Sequence, residues 1–78
     1  MKVVIAKVNE NLFDGEAVSM TLPGAEGQLT VLPEHMPLIT TLKAGVITVR
    51  LGGEEPDQTF QILGGVLEVR RDGATVVL

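Results

Sequence analysis

His35 is the only histidine in the chain, so any acid–base chemistry starts there. It lies in Pro33-Glu34-His35-Met36-Pro37, beside a carboxylate. Nucleophilic catalysis needs a hydroxyl or thiol within reach of a base, and a third group to orient that base. There are no cysteines. Ser19 and Thr40 are the hydroxyls that a Ser/His/Asp arrangement could use, and nothing in their spacing brings either to His35. The expected role of His35 is a loop histidine that hydrogen-bonds backbone or touches a partner. The acids Glu10, Asp14 and Glu16 lack the spacing of a zinc or calcium site and read as a solvated face. Gly24-Ala25-Glu26-Gly27 lacks the lysine and helix of a phosphate loop, and Gly64-Gly65 has no further glycine at the required spacing. The expectation is therefore no catalytic residue, no metal site, no cofactor, and a protein that is not an enzyme.

The elements that carry these residues read as strands. Glycine or proline interrupts the chain too often for a long helix. Alternation recurs instead. Lys2 to Val8 is apolar on both faces, with Val3 and Ile5 against Val4, Ala6 and Val8. Asn9 to Leu12 reads as a turn, and Gly15 permits a bend or bulge. Glu16 to Leu22 is expected to turn Val18, Met20 and Leu22 inward and Ala17, Ser19 and Thr21 outward. Pro23-Gly24 and Glu26-Gly27 turn the chain into Gln28 to Leu32. Pro33 and Pro37 then bracket a rigid corner. Leu38 to Lys43 and Val46 to Leu51 are expected as separate strands around a Lys43-Ala44-Gly45 turn. Gly52 to Asp57 is a polar hairpin loop. Gln58 to Leu63 turns Phe60 and Ile62 inward, and Gly64-Gly65 allows a kink or close backbone approach. Val66 to Arg70 turns Glu68 and Arg70 outward, Asp72-Gly73 signals a hairpin, and Ala74 to Leu78 closes the chain. About eight short strands at this spacing imply an all-β, flattened antiparallel sandwich or barrel.

Composition narrows the functional classes. Seventy-eight residues make one small domain, residues 1–78. A chain this short buries only about 60% of its unfolded surface. The apolar fraction is 45%, and Phe13 and Phe60 are its aromatics, so the core must be aliphatic. The formal charge is −4, and no basic cluster exceeds Arg70-Arg71, so nucleic acid is not an expected partner. No apolar run reaches the roughly 18 residues that span a bilayer. MKVVIAKVNE reads as a first strand rather than a signal peptide. From the residues alone, the protein is a small acidic β module that works by contact.

Leu22 to Thr40 carries a more specific pattern. Phe13-Asp14-Gly15-Glu16-Ala17, Pro23-Gly24-Ala25-Glu26-Gly27-Gln28-Leu29 and Leu32-Pro33-Glu34-His35-Met36-Pro37-Leu38-Ile39-Thr40 occur in order. Leu42-Lys43-Ala44-Gly45-Val46-Ile47 and Gly64-Gly65-Val66-Leu67-Glu68-Val69 extend the series. Together they resemble the N-terminal domain of the epsilon subunit of rotary ATP synthase, called delta in mitochondria. The resemblance implies a flattened β-sandwich of about ten strands. It implies a non-catalytic rotor subunit at the foot of the central stalk. That subunit binds the gamma subunit and the ring of c subunits and couples proton or sodium translocation to ATP synthesis. Glu26, Gln28, Glu34, His35 and Met36 are then the expected partner contacts. The place implied is the cytoplasmic face of the bacterial plasma membrane, peripheral through the complex and without direct insertion. Relatives commonly carry an acid where Gln28 stands and glycine where Glu34 stands. The family usually continues into a two-helix C-terminal domain, whereas this chain ends at Leu78, so neither an ATP site nor inhibition by that hairpin is expected of it. The competing reading is a free-standing β-barrel that binds a small ligand in an internal cavity.

Overall fold

The computed structural model describes Met1–Leu78 and is all β. Its strands are β1 (Lys2–Lys7), β2 (Glu10–Glu16), β3 (Ser19–Gly24), β4 (Gly27–Val31), β5 (Leu38–Arg50), β6 (Gln58–Arg70) and β7 (Gly73–Val77). They form one hydrogen-bonded sheet in the order β2-β1-β7-β6-β5-β3-β4. The sheet folds over on itself. Phe13 of β2 meets Phe60 of β6 edge to face, with ring centroids 6.2 Å apart, although β2 and β6 are not neighbours in the sheet. One layer holds β2, β1, β7, the second half of β6 and the first half of β5. The other holds the first half of β6, the second half of β5, β3 and β4.

The β5–β6 hairpin belongs to both layers, and its register does not shift between Leu38↔Val69 and Val49↔Gln58. Opposed residues in such a ladder share a face. Leu42 is buried in the first half of β5, but Ile47 and Val49 are buried in the second. In β6 the buried position is Ile62 before the glycines, and Leu67 and Val69 after them. The inward face therefore changes parity in both strands at one level. Ala44 and Leu63, at that level, are the positions without a ladder partner, and Leu63 is 93% exposed. Two close approaches require glycine here. A Cβ on Gly45 would sit 2.8 Å from the Pro23 Cβ, and one on Gly65 would sit 2.7 Å from the Val77 carbonyl oxygen.

Several sequence expectations are corrected. The strand count is seven, below both the eight read from spacing and the ten the resemblance implies. The β1–β7 pair is parallel, so the sandwich is not wholly antiparallel. Lys43-Ala44-Gly45 is not a turn but lies inside a 13-residue strand, because the ladder to β6 resumes at Gly45. Glu10 to Leu12 belongs to β2 rather than to a turn. Asn9, at φ 65°, closes the β1–β2 hairpin so tightly that pairing starts at Lys7↔Glu10. The bulge falls between Ile5 and Ala6 of β1, opposite Phe13 and Asn11, not at Gly15. Val18 is exposed, whereas Ala17 and Ser19 are buried. The chain is bent there, with Val18 donating its N–H to the Arg50 carbonyl at 2.8 Å, so regular alternation starts only at Met20.

The core holds 14 residues, among them Val3, Ile5, Met20, Leu22, Ile47, Leu67 and Val76, with Phe13, Leu29 and Phe60 packed against them. No buried side-chain polar atom lacks a hydrogen-bond partner. The core is aliphatic throughout, as the composition requires.

Candidate functional site

Glu26 occupies the β3–β4 turn, and Gln28 follows in β4. Gly24 pairs with Gly27 across the turn, and both Glu26 and Gln28 are exposed. Glu34, His35 and Met36 lie in the loop that joins β4 to β5. Glu34 has φ 63°, a left-handed conformation that suits glycine. The His35 N–H donates to the Leu32 carbonyl at 3.2 Å, which closes the loop. His35 Nδ1 lies 2.8 Å from the Met36 carbonyl oxygen. A carbonyl only accepts, so Nδ1 is the donor, and in the neutral ring Nε2 is left free. Met36 is 78% exposed.

The structure places these residues at the two ends of β4 rather than in one pocket. No hydrogen bond or ion pair joins the residues at one end to those at the other. His35 bonds its own loop, while Ser19 is buried at the start of β3. Of the β2 acids, Asp14 pairs with Lys2 at 2.8 Å, and Glu16 lies 3.5 Å from the amino group of Met1. The Lys2 ammonium is held above the ordinary lysine range by its hydrogen bond to Asp14, then by that carboxylate's charge, with Glu16 adding.

Sequence reasoning reached only part of a larger feature, the outer face of the β2-β1-β7 layer. Ladder pairs align Val4 with Thr75 and Glu68, and Ala6 with Val77 and Val66. Glu68 is in turn opposite Ile39. Ile39, Val66 and Val77 are exposed, and Val4 and Ala6 are half-buried. A short apolar band of Val4, Ala6, Val77 and Val66 thus lies on the face, with Asp14, Thr75 and Glu68 in the row of Val4 and Glu68 standing between the band and Ile39. The two apolar faces of Lys2 to Val8 pointed to half of it. Val66 and Val77 could be added only once their ladder partners were known. Beyond Glu68, Ile39 is exposed near the β4–β5 loop, where Leu32 and Leu38 are also exposed. The Ala17-Ser19-Thr21 set does not form a second such face, since Ala17 and Ser19 are buried.

The opposite outer face is polar. Thr30, Thr21, Thr48 and Thr59 line up across β4, β3, β5 and β6. A groove of about 450 Å³ lies there, lined by Thr21, Pro23, Gln28, Lys43, Val46 and Thr48. A second, of about 350 Å³, lies by Leu12, Ile62, Leu63 and Leu78. Both open to solvent, and neither is an internal barrel cavity.

The architecture is a small β-sandwich domain whose exposed features are an apolar band and two loop tips flanking an edge strand. The family model for the β-sandwich domain of the ATP synthase delta/epsilon chain matches residues 1–78, and the chain belongs to that family. The ATP synthase epsilon chain of Herminiimonas arsenicoxydans is 39% identical over 77 residues, covering 99% of this chain and 55% of the relative. That of Janthinobacterium sp. (strain Marseille) is 38% identical over 77 residues, with the same 99% and 55% coverage. The chain thus spans about half the length of the curated relatives it matches. A chain in the cryo-EM structure of the Euglena gracilis mitochondrial ATP synthase, OSCP/F1/c-ring, superposes with a TM-score of 0.87 at 21% identity, covering 96% of this chain and 48% of that one. A chain of the Tetrahymena thermophila mitochondrial ATP synthase central stalk/c-ring gives 0.77 at 18% identity, covering 97% and 60%. At these identities the likeness is one of fold.

Proposed function

We propose that this chain is the N-terminal sandwich domain of an epsilon-type subunit, a non-catalytic part of the rotor of an ATP synthase. It binds the gamma subunit through the apolar band of the β2-β1-β7 layer. It rests on the c-ring through Glu26 and Gln28 at one end of β4, and Glu34, His35 and Met36 at the other. Its place is the cytoplasmic face of a bacterial plasma membrane, held there through the complex. The observation that carries this reading is the family match over residues 1–78. The apolar band supports it, because an exposed apolar cluster rimmed by charged residues is the kind of surface that meets a partner.

The test is capture of purified gamma subunit by this chain. Val66→Asp and Val77→Asp together should weaken capture at least tenfold, since each places a charge in an apolar contact. Thr59→Asp, on the polar face, should leave capture unchanged. Capture that survives the first pair and fails with the second would move the docking face to the other layer. Absence of any capture by the unaltered chain would end the proposal.

A further inference from the structure

The outer strands of the sheet are β2 and β4, and they are guarded differently. Exposed sheet edges invite pairing with other chains, and charged residues usually block it. β2 carries Glu10, Asp14 and Glu16, all exposed. β4 reads GQLTV and carries no charge and no proline. The unpaired side of the first half of β6 is different again, since it lies beside Phe13, Leu12 and Leu78.

The backbone of β4 shows which groups face outward. β3 is paired on both sides, so its residues alternate between β5 and β4. The Ala25 N–H donates to the Thr41 carbonyl at 3.0 Å, so odd positions at this end of β3 face β5. Leu22 and Gly24 therefore face β4, and their partners Leu29 and Gly27 face back. Gln28 and Thr30 are left with N–H and carbonyl groups pointing off the edge, and both residues are exposed. Pro23, opposite Gln28, fits this parity, because the donor it lacks would have faced β5.

From this edge we infer a self-association site: β4 pairs antiparallel with β4 of a second copy about a two-fold axis at Leu29. Gln28 of each copy then lies opposite Thr30 of the other, so the same four outward groups are satisfied on both. The two half-buried Leu29 side chains meet at the axis. The pairing is self-complementary, as a two-fold contact must be. The same operation on β2 would bring its acids together. The occupant is thus a second copy rather than a foreign strand, because neutrality and symmetry favour self-pairing and the edge shows no charge that would select another sequence. Where the proposed c-ring contact holds, this pairing covers Gln28 and competes with it, so only the unassembled subunit can dimerise.

Such a short contact is small for an interface, so its dissociation constant should lie between roughly 10 µM and 1 mM. The test is sedimentation equilibrium of the 78-residue chain, with amide spectra recorded across the same concentrations; no partner protein is involved, so failure here leaves the rotor assignment standing. Mass should rise toward the dimer, and the Gln28 and Thr30 amides should shift and gain protection from exchange. Because each copy carries −4, added salt should strengthen association. Thr30→Pro removes one outward N–H and should weaken it at least tenfold. Thr30→Lys, which leaves the backbone intact, should do the same. Adding Gln28→Glu to Thr30→Lys should restore pairing, because each introduced ammonium then faces an introduced carboxylate of the other copy. A monomer mass up to about 1 mM, shifts centred on another surface, or association unchanged in Thr30→Lys would each overturn the inference.

Discussion

Leu63 and Leu67 have the same parity in β6, so unbroken alternation would give them the same face and similar importance. The structure separates them: Leu67 is fully buried and Leu63 is 93% exposed. Truncating a buried leucine to alanine removes transfer energy and leaves a cavity, costing about 2–5 kcal/mol. Truncating a solvated side chain away from special geometry changes stability by less than about 0.5 kcal/mol. A domain of this size is stable by roughly 0.05–0.15 kcal/mol per residue, or about 4–12 kcal/mol in all. Leu67→Ala should therefore remove a large share of that stability and lower Tm by about 8–40 °C, taking 4–8 °C per kcal/mol. Leu63→Ala should melt within a few degrees of the parent. Urea denaturation of both variants, with m held in common, measures the difference directly. Comparable losses in the two, or a loss below about 1 kcal/mol in Leu67→Ala, would refute the change of inward face at the glycine level.

Glu34→Gly should stabilise the domain. Relief of left-handed strain contributes about 1–2 kcal/mol, offset by about 0.4–1 kcal/mol from the freer unfolded chain, so calorimetry should show a small rise in Tm, and Glu34→Ala should show none. A lower Tm in the glycine variant would mean that the Glu34 side chain makes a contribution the structure does not account for. The Lys2–Asp14 pair predicts an alkaline dependence. Lys2 is raised above its ordinary value of 10.5, so the stability it contributes is fully present below that value and is lost as pH climbs through the raised folded value. The urea midpoint of the parent should fall faster above pH 10.5 than that of Lys2→Met. Parallel curves would show the pair to be inert, as many exposed pairs are.

Much of the fold was legible because strands report themselves locally. Val46 to Leu51 and Val66 to Arg70 alternate cleanly, and treating Gly64-Gly65 as a break gave the right inward face on each side of it. The same logic failed at Lys43-Ala44-Gly45. A glycine that ends a strand and a glycine that admits Pro23 from a neighbouring strand look identical in one dimension. Ser19 failed for a related reason, since the bend at Val18 is set by a hydrogen bond to Arg50, far along the chain. The parallel β1–β7 pair is likewise a matter of long-range topology. Of the candidate site, the prolines marked the corner that holds Glu34 to Met36, but its residues were named as contacts only through the family resemblance. The apolar band was not legible as a whole, because Ala6, Val77 and Val66 become neighbours only through two ladders. Nor was the bare edge of β4, since a short neutral strand shows no sign in sequence of having only one neighbour.

The shared hairpin has a mechanical consequence. In a sandwich built from separate sheets, one layer can slide on the other against side-chain packing alone. Here the apolar band lies on one layer and the β3–β4 turn on the other, and the same two strands run through both. Sliding one layer would shear a ladder that pairs without a register shift from Leu38↔Val69 to Val49↔Gln58. If gamma grips the band and the c-ring the loop tips, as proposed, the load between them passes along backbone hydrogen bonds and covalent chain. The weak level of that path is Ala44 and Leu63, where the ladder lapses, and there Pro23 lies against Gly45 and the Val77 carbonyl against Gly65. The change of face that lets one hairpin build two layers is thus braced where it is least bonded. A larger residue at Gly45 or Gly65 would displace that bracing, so the glycines serve the stiffness of the joint rather than its flexibility.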